Sequence, residues 1–146
     1  MRVNWLTALE LARSFRRKTI RSRPARIVFL SSASAMVGSP SLSAYASSKG
    51  ALLSLTRSLA LEFADEGITV NCVTPGMVRS EMTAETEKSL SPEQFERLRV
   101  LHPLGFGDAE EVASMVAYLL ADTGRWITGA SFVVDGGFSA GVRITG

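Results

Sequence analysis

Three short runs of apolar residues stand out along the chain, and each is bounded by charged or small polar residues. They are Ile27 to Leu30, Ile68 to Thr74 and Ser131 to Val134. A run of this kind is typical of a strand that is buried on both faces of a parallel sheet. Because helical patterns separate the runs, the sequence predicts an α/β fold with a parallel sheet.

The longest helical pattern follows the first of these runs. It begins near Ser41 and runs to about Glu66, and Gly67 is suited to end it in a left-handed conformation. Its apolar stripe consists of Leu52, Leu55, Leu59 and Phe63. Tyr45 and Lys49 lie four positions apart on this helix, so their side chains share a face.

A phenol beside an ammonium group has a chemical use. A cation within about 4–6 Å favours the charged form of a phenol, which makes it a usable general acid and base. Ser32 follows the strand at Ile27 to Leu30, and the carboxyl ends of strands are where open α/β sheets bind ligands. A structural alternative is that Tyr45 packs its ring while Lys49 extends its ammonium to solvent at a helix edge.

These residues resemble a known family. Ser32, Tyr45 thirteen positions later, and then Lys49 resemble the Ser and Tyr-x-x-x-Lys arrangement of the short-chain dehydrogenase/reductases. The segment that precedes Ser32 resembles the fifth strand of that family. Asn4, twenty-eight positions before Ser32, stands where the family has its fourth catalytic residue.

The resemblance implies hydride transfer between NAD(P)H and a carbonyl or alcohol substrate. Tyr45 would exchange a proton with the substrate oxygen, and Ser32 would hold that oxygen. Lys49 would assist Tyr45 and bind the nicotinamide ribose, so Tyr45 and Lys49 also count as cofactor-binding residues. Asn4 would anchor a water relay to Lys49, although an Asn near a helix start is usually a cap.

A second motif follows the second strand. Pro75, Gly76, Val78 and Ser80 resemble the Pro-Gly motif with which the family closes against the nicotinamide carboxamide. Val78 would contribute backbone groups and Ser80 a hydroxyl. The family more often has Thr where Ser80 stands, and Ser keeps the hydrogen-bonding group.

Residues 80–101 resemble the mobile segment that covers substrate in this family. Ser91, Pro92 and Gln94 form a capping-box pattern that starts a short helix. Four apolar residues of the segment either line a substrate pocket or pack the segment down: Met82, Phe95, Leu98 and Leu101. Beyond it, Asp108 and Glu111 predict the start of another helix. The buried stripe of that helix is predicted to be Val112, Met115, Val116, Leu119 and Leu120.

The resemblance covers only the carboxyl-terminal part of a family member. Residues 1–146 are predicted to form a single domain, an incomplete Rossmann-type doubly wound parallel sheet whose first nucleotide-binding half is absent. The Gly-rich turn that receives a pyrophosphate at a helix N-terminus is missing from the sequence. The isolated chain is therefore expected to bind NAD or NADP weakly or not at all, and the strand at Ile27 to Leu30 is expected to expose an edge.

Composition narrows the picture further. The 146 residues are 46% hydrophobic and 21% charged, as in ordinary globular proteins, and no apolar run approaches the ~20 residues of a membrane span. A single cysteine, Cys72, excludes an internal disulfide and suits a reducing compartment, so a cytoplasmic location is expected. With one histidine, His102, the sequence offers no metal-ligand cluster.

The net charge of +2 conceals an asymmetry. Residues 1–61 hold ten basic residues and one acid, whereas residues 62–146 hold six basic and thirteen acidic residues. The basic excess is concentrated at Arg13, Arg16, Arg17, Lys18, Arg21, Arg23 and Arg26. This cluster is either a nucleic-acid or localisation signal or a solvated helix end and loop. No stacking aromatics or DNA-binding motif accompany it, which favours the solvated surface.

The same N-terminal segment, rich in Arg and poor in acids, also fits a mitochondrial transit peptide. Against this, residues 2–13 resemble the helix that precedes the fifth strand in the dehydrogenase family. We therefore interpret residues 1–26 as part of the fold. They include a first helix that spans about 1–18, with expected core contacts Val3, Leu6, Leu9 and Phe15.

Three hypotheses follow. The chain is a dehydrogenase/reductase or the catalytic part of one, a non-catalytic remnant or interaction module, or a basic nucleic-acid binder. The first is favoured, with a small-molecule carbonyl or alcohol as partner and neither nucleic acid nor membrane. It also implies either a complementing N-terminal half or a homo-oligomer, which family members commonly form through the two long helices near 1–18 and 43–66.

Overall fold

Three strands pair in parallel in the computed structural model, which describes residues 2–18 and 24–141. They are β1 (Ala25–Leu30), β2 (Ile68–Pro75) and β3 (Ser131–Val134), and β2 lies in the centre. Ala25 stands opposite Ile68, and Cys72 stands opposite Ser131. The predicted α/β fold with a parallel sheet is confirmed.

The helices lie between and before the strands. A π-helical turn, Arg2–Leu6, leads directly into the first α-helix. The α-helices are α1 (Thr7–Lys18), α2 (Ser43–Phe63), α3 (Glu81–Ser89), α4 (Pro92–Val100) and α5 (Ala109–Leu120). Short 3-10 turns occupy Ala33–Ala35, Ala64–Glu66 and Asp122–Gly124. Within the described residues, every helix falls short of the length and apolar character that crossing a membrane requires.

Helix α2 supplies most of the hydrophobic core. Its predicted stripe is confirmed, because Leu52, Leu55, Leu59 and Phe63 are all buried. They pack in one cluster with Ile68 and Val70 of β2. The α-helix ends at Phe63, slightly earlier than expected, and the chain continues as a 3-10 turn up to Gly67. Gly67 has φ +70°, the predicted left-handed stop.

The N-terminal helix is more exposed than its sequence indicated. Of its four expected core contacts, Leu9 packs against the core, while Val3, Leu6 and Phe15 are exposed. The reason lies in the strand order: β1 is at the edge of the sheet, so no further strand of the described residues lies beneath this side of α1. Val3 and Phe15 instead line an open, mostly apolar groove between α1 and β1.

The other face of the sheet is also uncovered beside β1. Leu30, expected to be buried, is half exposed. It lines a second apolar groove together with Val112, Val116 and Leu120 of α5. Of the predicted α5 stripe, Leu119 is fully buried and Leu120 is exposed, because α5 turns this side toward the groove rather than toward a covering strand. The predicted exposed edge is confirmed.

Helix starts follow the sequence closely. The Ser91 hydroxyl accepts from the Gln94 amide, and the Gln94 side chain accepts from the Ser91 amide, so the predicted capping box is present. At the start of α5, the Glu111 carboxylate accepts from the Asp108 amide at 2.7 Å. Local sequence therefore determines where these two helices begin.

Part of the basic cluster is engaged in ion pairs. Arg26 pairs with Asp122 at 2.9 Å, and Arg16 pairs with Glu66. Arg21 and Arg23 lie outside the described residues. Pairing reduces the positive charge that these arginines present to a polyanion, which supports the interpretation of the cluster as a solvated surface.

Candidate active site

The first turns of α2 carry the two residues with the clearest chemical role. The Lys49 Nζ atom lies 5.9 Å from the centroid of the Tyr45 ring. The predicted shared face is confirmed by this distance. Tyr45 is 39% exposed, so its ring is available to a ligand at the carboxyl end of β1.

Two hydrogen bonds hold the start of α2 against the end of β1. The Lys49 ammonium donates to the carbonyl oxygen of Leu30 at 2.9 Å, and the Ser31 hydroxyl donates to the carbonyl oxygen of Lys49 at 2.8 Å. Ser31 is buried, which fixes the second contact inside the protein. The ammonium is therefore held at the strand end. This argues against the structural alternative, in which Lys49 extends its ammonium into solvent at the helix edge.

Ser32 lies at the carboxyl end of β1, as predicted. It caps the 3-10 turn Ala33–Ala35, and its hydroxyl oxygen accepts from the Ser34 amide at 3.2 Å. The hydroxyl proton remains available for a further acceptor, because an alcohol both accepts and donates. A role for Ser32 in holding a substrate oxygen stays a prediction.

Asn4 reaches the same helix from the N-terminal π-helical turn. Its side-chain amide donates to the Ser48 hydroxyl at 3.0 Å, and that hydroxyl donates to the carbonyl oxygen of Tyr45 at 2.7 Å. The Asn4 side chain is thus linked through Ser48 to the main chain of Tyr45, and it does not cap its own helix. The water relay from Asn4 to Lys49 stays a prediction.

Ser48 is the residue that sequence reasoning missed. It is 2% exposed and lies four positions before Leu52, on the buried stripe of α2. A small hydroxyl in an otherwise apolar stripe was the available signal, since a buried polar group needs a partner. That partner, Asn4, is forty-four residues distant in sequence.

The loop after β2 begins with a close backbone approach. The Gly76 amide donates to the Val134 carbonyl oxygen at 3.0 Å. A Cβ atom at Gly76 would lie 2.8 Å from the Cα of Asp135, which leaves no room for a side chain. Pro75 is the last residue of β2, and the Gly76 amide continues the pairing of β2 with β3. The turn predicted at Pro75 and Gly76 stays a prediction.

Val78 and Ser80 are tied to the next helix by Thr83. The buried Thr83 hydroxyl donates to the Val78 carbonyl oxygen, and the Ser80 hydroxyl accepts from the Thr83 amide at 3.2 Å. Ser80 thereby caps α3, a role that its sequence neighbourhood did not suggest. Contact of Val78 and Ser80 with a nicotinamide group stays a prediction.

Two ionisable groups in this region have altered pKa values. Burial, the largest influence, raises the pKa of the Cys72 thiol, which agrees with a buried strand residue rather than a nucleophile. At Asp135 burial acts in the raising direction, but it is outweighed by hydrogen bonds from the Ser139 hydroxyl and from the amides of Ser139 and Gly137. These hydrogen bonds leave the pKa of Asp135 below its usual value.

Packing accounts for only part of the apolar set in the segment 80–101, and its substrate-lining role stays a prediction. Met82 and Leu101 are exposed, so they do not pack the segment down. Phe95 is half-buried and contacts the ring of Phe106 edge-on, with centroids 5.5 Å apart. Packing therefore accounts for Phe95 in this arrangement.

The chain is similar to proteins with known sequences and structures. The profile of the family described as enoyl-(acyl carrier protein) reductase matches residues 1–139. Nodulation protein G of Rhizobium meliloti (strain 1021) is 36% identical over 140 residues, which are 95% of this chain and 56% of that protein. The chain therefore spans about half the length of this curated relative.

Two solved structures share the fold. A 4-hydroxyisoleucine dehydrogenase mutant complexed with NADH and succinate has a TM-score of 0.89 and 33% identity; the match covers 97% of this chain and 58% of that one. A short-chain dehydrogenase/reductase from Serratia marcescens has a TM-score of 0.83 and 34% identity, covering 94% and 54%. The family match over residues 1–139 and the Tyr45–Lys49 geometry agree: this chain belongs to the short-chain dehydrogenase/reductase family.

Proposed function

We propose that this chain carries the catalytic portion of an NAD(P)-dependent oxidoreductase that acts on a carbonyl or alcohol substrate. One observation carries the proposal. The Tyr45 ring and the Lys49 ammonium share a face of α2 at the carboxyl end of β1, where Leu30 holds the ammonium. Ligands of open α/β sheets bind at this end of the strands.

In this proposal Tyr45 moves the proton. Its hydroxyl gives a proton to the substrate oxygen during reduction and takes one back during oxidation. The Lys49 ammonium lies on the same helix face, 5.9 Å from the centroid of the Tyr45 ring, and is proposed to assist this transfer. Ser32 donates its free hydroxyl proton to the same substrate oxygen and orients it toward Tyr45.

The residues present fit the nicotinamide end of a dinucleotide. Lys49 supplies ammonium protons for the ribose hydroxyls, and the backbone of Val78 together with the Ser80 hydroxyl supplies polar groups for the carboxamide. When bound, NAD(H) or NADP(H) would supply the hydride, and the protein would orient substrate and ring. A glycine-rich turn between a strand and a helix, which a pyrophosphate needs, does not occur within residues 2–18 and 24–141.

The pyrophosphate site is proposed to lie on a complementing segment that pairs with the free edge of β1. Parallel sheets are normally covered by helices on both faces, whereas β1 borders two apolar grooves. A further parallel strand beside β1 would bury Leu30 and Phe29, and a helix on each face would fill the grooves. This segment comes from the same polypeptide or from another chain.

A second copy of the chain is proposed to pack on α2. Leu61, on the outer side of this helix, is 81% exposed. Light scattering coupled to size exclusion tests this part separately, and a clean monomer would contradict it.

Hydride transfer is the direct test. NADH and NADPH are titrated against the chain alone, and then against the polypeptide that includes the complementing segment, with fluorescence of the reduced nicotinamide as the signal. The complete form is then assayed at 340 nm with a panel of ketones and secondary alcohols. We expect binding and turnover in the complete form and weak or no binding by the chain alone.

Two controls separate this function from its alternatives. Tyr45→Phe should bind the cofactor and fail to turn over substrate, whereas Tyr118→Phe, which removes the hydroxyl of the other tyrosine, should behave as the unmodified protein. Absence of cofactor binding by the complete form would instead favour a non-catalytic module. A strongly salt-dependent affinity for generic DNA would favour the nucleic-acid hypothesis.

A further inference from the structure

His102 connects two segments that border the proposed nicotinamide site. It lies just beyond α4 and is 5% exposed. Its Nε2 atom lies 3.2 Å from the Met77 amide nitrogen, and its Nδ1 atom lies 3.0 Å from the Leu98 carbonyl oxygen. Met77 belongs to the loop after β2, and Leu98 belongs to the last turn of α4.

These two contacts determine the form of the imidazole. A carbonyl oxygen only accepts hydrogen bonds, so Nδ1 must carry the proton that is donated to Leu98. The Met77 amide only donates, so Nε2 must be the unprotonated acceptor. The contacts therefore select a neutral ring with its proton on Nδ1, which uses both nitrogens.

Aromatic neighbours fix the orientation of that ring. Phe138 stacks on it with centroids 4.7 Å apart and planes 12° apart, and Phe106 meets it edge-on at 5.2 Å. Both arrangements are favourable for aromatic pairs. The ring cannot rotate about its own bonds without losing a hydrogen bond and a stacking contact together.

The Met77 backbone adjoins the residue expected to meet the carboxamide. The Met77 carbonyl oxygen accepts from the Gly107 amide at 3.0 Å, and Val78 forms a parallel bridge with Gly107. His102 supplies the remaining backbone partner, at the Met77 amide. Both backbone hydrogen-bonding groups of Met77 are thus satisfied, and the conformation that presents Val78 is held from two sides.

We propose that His102 is a positioning residue for the nicotinamide end of the cofactor. It acts through the Met77 amide on the main chain of Val78, and through the Leu98 carbonyl it ties the same loop to α4 of the substrate-covering segment. The inference rests on the proposed function, because it needs a nicotinamide at Val78. It requires no contact of the imidazole with the cofactor or with the substrate.

The test compares two ligands that differ in the nicotinamide alone. Dissociation constants for NADH and for ADP-ribose are measured on the complete protein with wild-type sequence, with His102→Phe and with His102→Gln. Phenylalanine keeps the stacking on Phe138 and removes both hydrogen bonds. Glutamine loses the ring, but its amide oxygen restores an acceptor for Met77.

If His102 positions the loop, His102→Phe should weaken NADH roughly tenfold, the size expected for one backbone hydrogen bond, and leave ADP-ribose unchanged. His102→Gln should recover most of the NADH affinity. A residue that only stabilises the fold would weaken both ligands equally or neither, and either result would overturn the inference. Equal losses in the two variants would overturn it as well.

Failure of this inference and failure of the proposed function give different results. A wild-type protein that binds neither NADH nor NADPH contradicts the function itself. A wild-type protein that binds NADH while His102→Phe binds it equally well contradicts only the role of His102. If His102→Phe does not fold, nitrogen-15 spectra of the imidazole in the wild-type protein decide: a proton on Nε2 would overturn the inference, and a proton on Nδ1 together with the His102→Gln result would support it.

Discussion

Asn4 and Ser48, forty-four positions apart in the chain, are joined by a hydrogen bond of 3.0 Å between the Asn4 amide and the Ser48 hydroxyl. Ser48 in turn donates to the carbonyl oxygen of Tyr45 at 2.7 Å. The N-terminal turn is thereby connected to the backbone of the residue proposed to move the proton. The link consists of two side chains, those of Asn4 and Ser48, and the main-chain carbonyl of Tyr45.

The Asn4–Ser48 bond can be measured with a double-mutant cycle. Asn4→Ala and Ser48→Ala should each destabilise the protein by about 1 kcal/mol, and the coupling between them should also be about 1 kcal/mol, because the two groups bond each other. Urea unfolding of the four proteins gives these values. Strictly additive effects would contradict a direct bond.

Tyr45→Phe should lower the rate of turnover by about 10² to 10⁴, the usual contribution of a positioned general acid or base. Cofactor affinity should change little, because the ring and the neighbouring Lys49 remain. Steady-state kinetics and a binding titration on the same preparation measure the two effects. Unchanged turnover in this variant would remove Tyr45 from the mechanism.

Leu59→Ala tests the core beneath the site. Leu59 is 1% exposed, so removal of its side chain should leave a cavity and lower the free energy of unfolding by about 2–5 kcal/mol. Leu61→Ala, on the same helix but 81% exposed, is the matched control when both variants are measured on the monomer, and should change it by about 0.5 kcal/mol or less. Similar losses at the two positions would show that the two helix faces are wrongly assigned.

Gly76→Ala should be strongly destabilising because the added methyl group would lie 2.8 Å from the Cα of Asp135, a backbone atom that cannot move aside alone. Overpacking of this kind typically costs about 1–3 kcal/mol. Gly38→Ala is the control, since a Cβ there meets nothing within 4 Å. Thermal unfolding compares the two, and equal midpoints would contradict the close approach of β3 and this loop.

Asp135 should make stability depend on pH in the acid range. Its folded-state pKa lies below the ordinary value, so its contribution is present above the unfolded-state pKa and is lost as the pH falls through the folded-state pKa. The free energy of unfolding should therefore decrease on acidification below about pH 4. Asp135→Asn should flatten this part of the profile and destabilise the protein at neutral pH, by about 1 kcal/mol for weakened hydrogen bonds. A profile with the same acid slope in both proteins would contradict the role of Asp135.

The sequence by itself determined the features that depend on neighbouring residues. Spacing of four positions on a helix places Tyr45 and Lys49 on one face whatever surrounds them, because helical geometry is local. The three strands, the stripe of α2, the cap at Ser91 and the stop at Gly67 follow from the same kind of local rule. The family resemblance likewise depended on short, ordered motifs.

Only the tertiary structure decided which distant polar groups meet. Ser48 meets Asn4, and His102 meets Met77, because packing brings together segments whose separation in the sequence no periodicity encodes. Strand order decided exposure in the same way: with β1 at the edge, Val3, Leu30 and Leu120 face open grooves although their patterns predicted burial. Burial is a property of what covers a residue, and a hydrophobic pattern records only that a residue is suited to being covered.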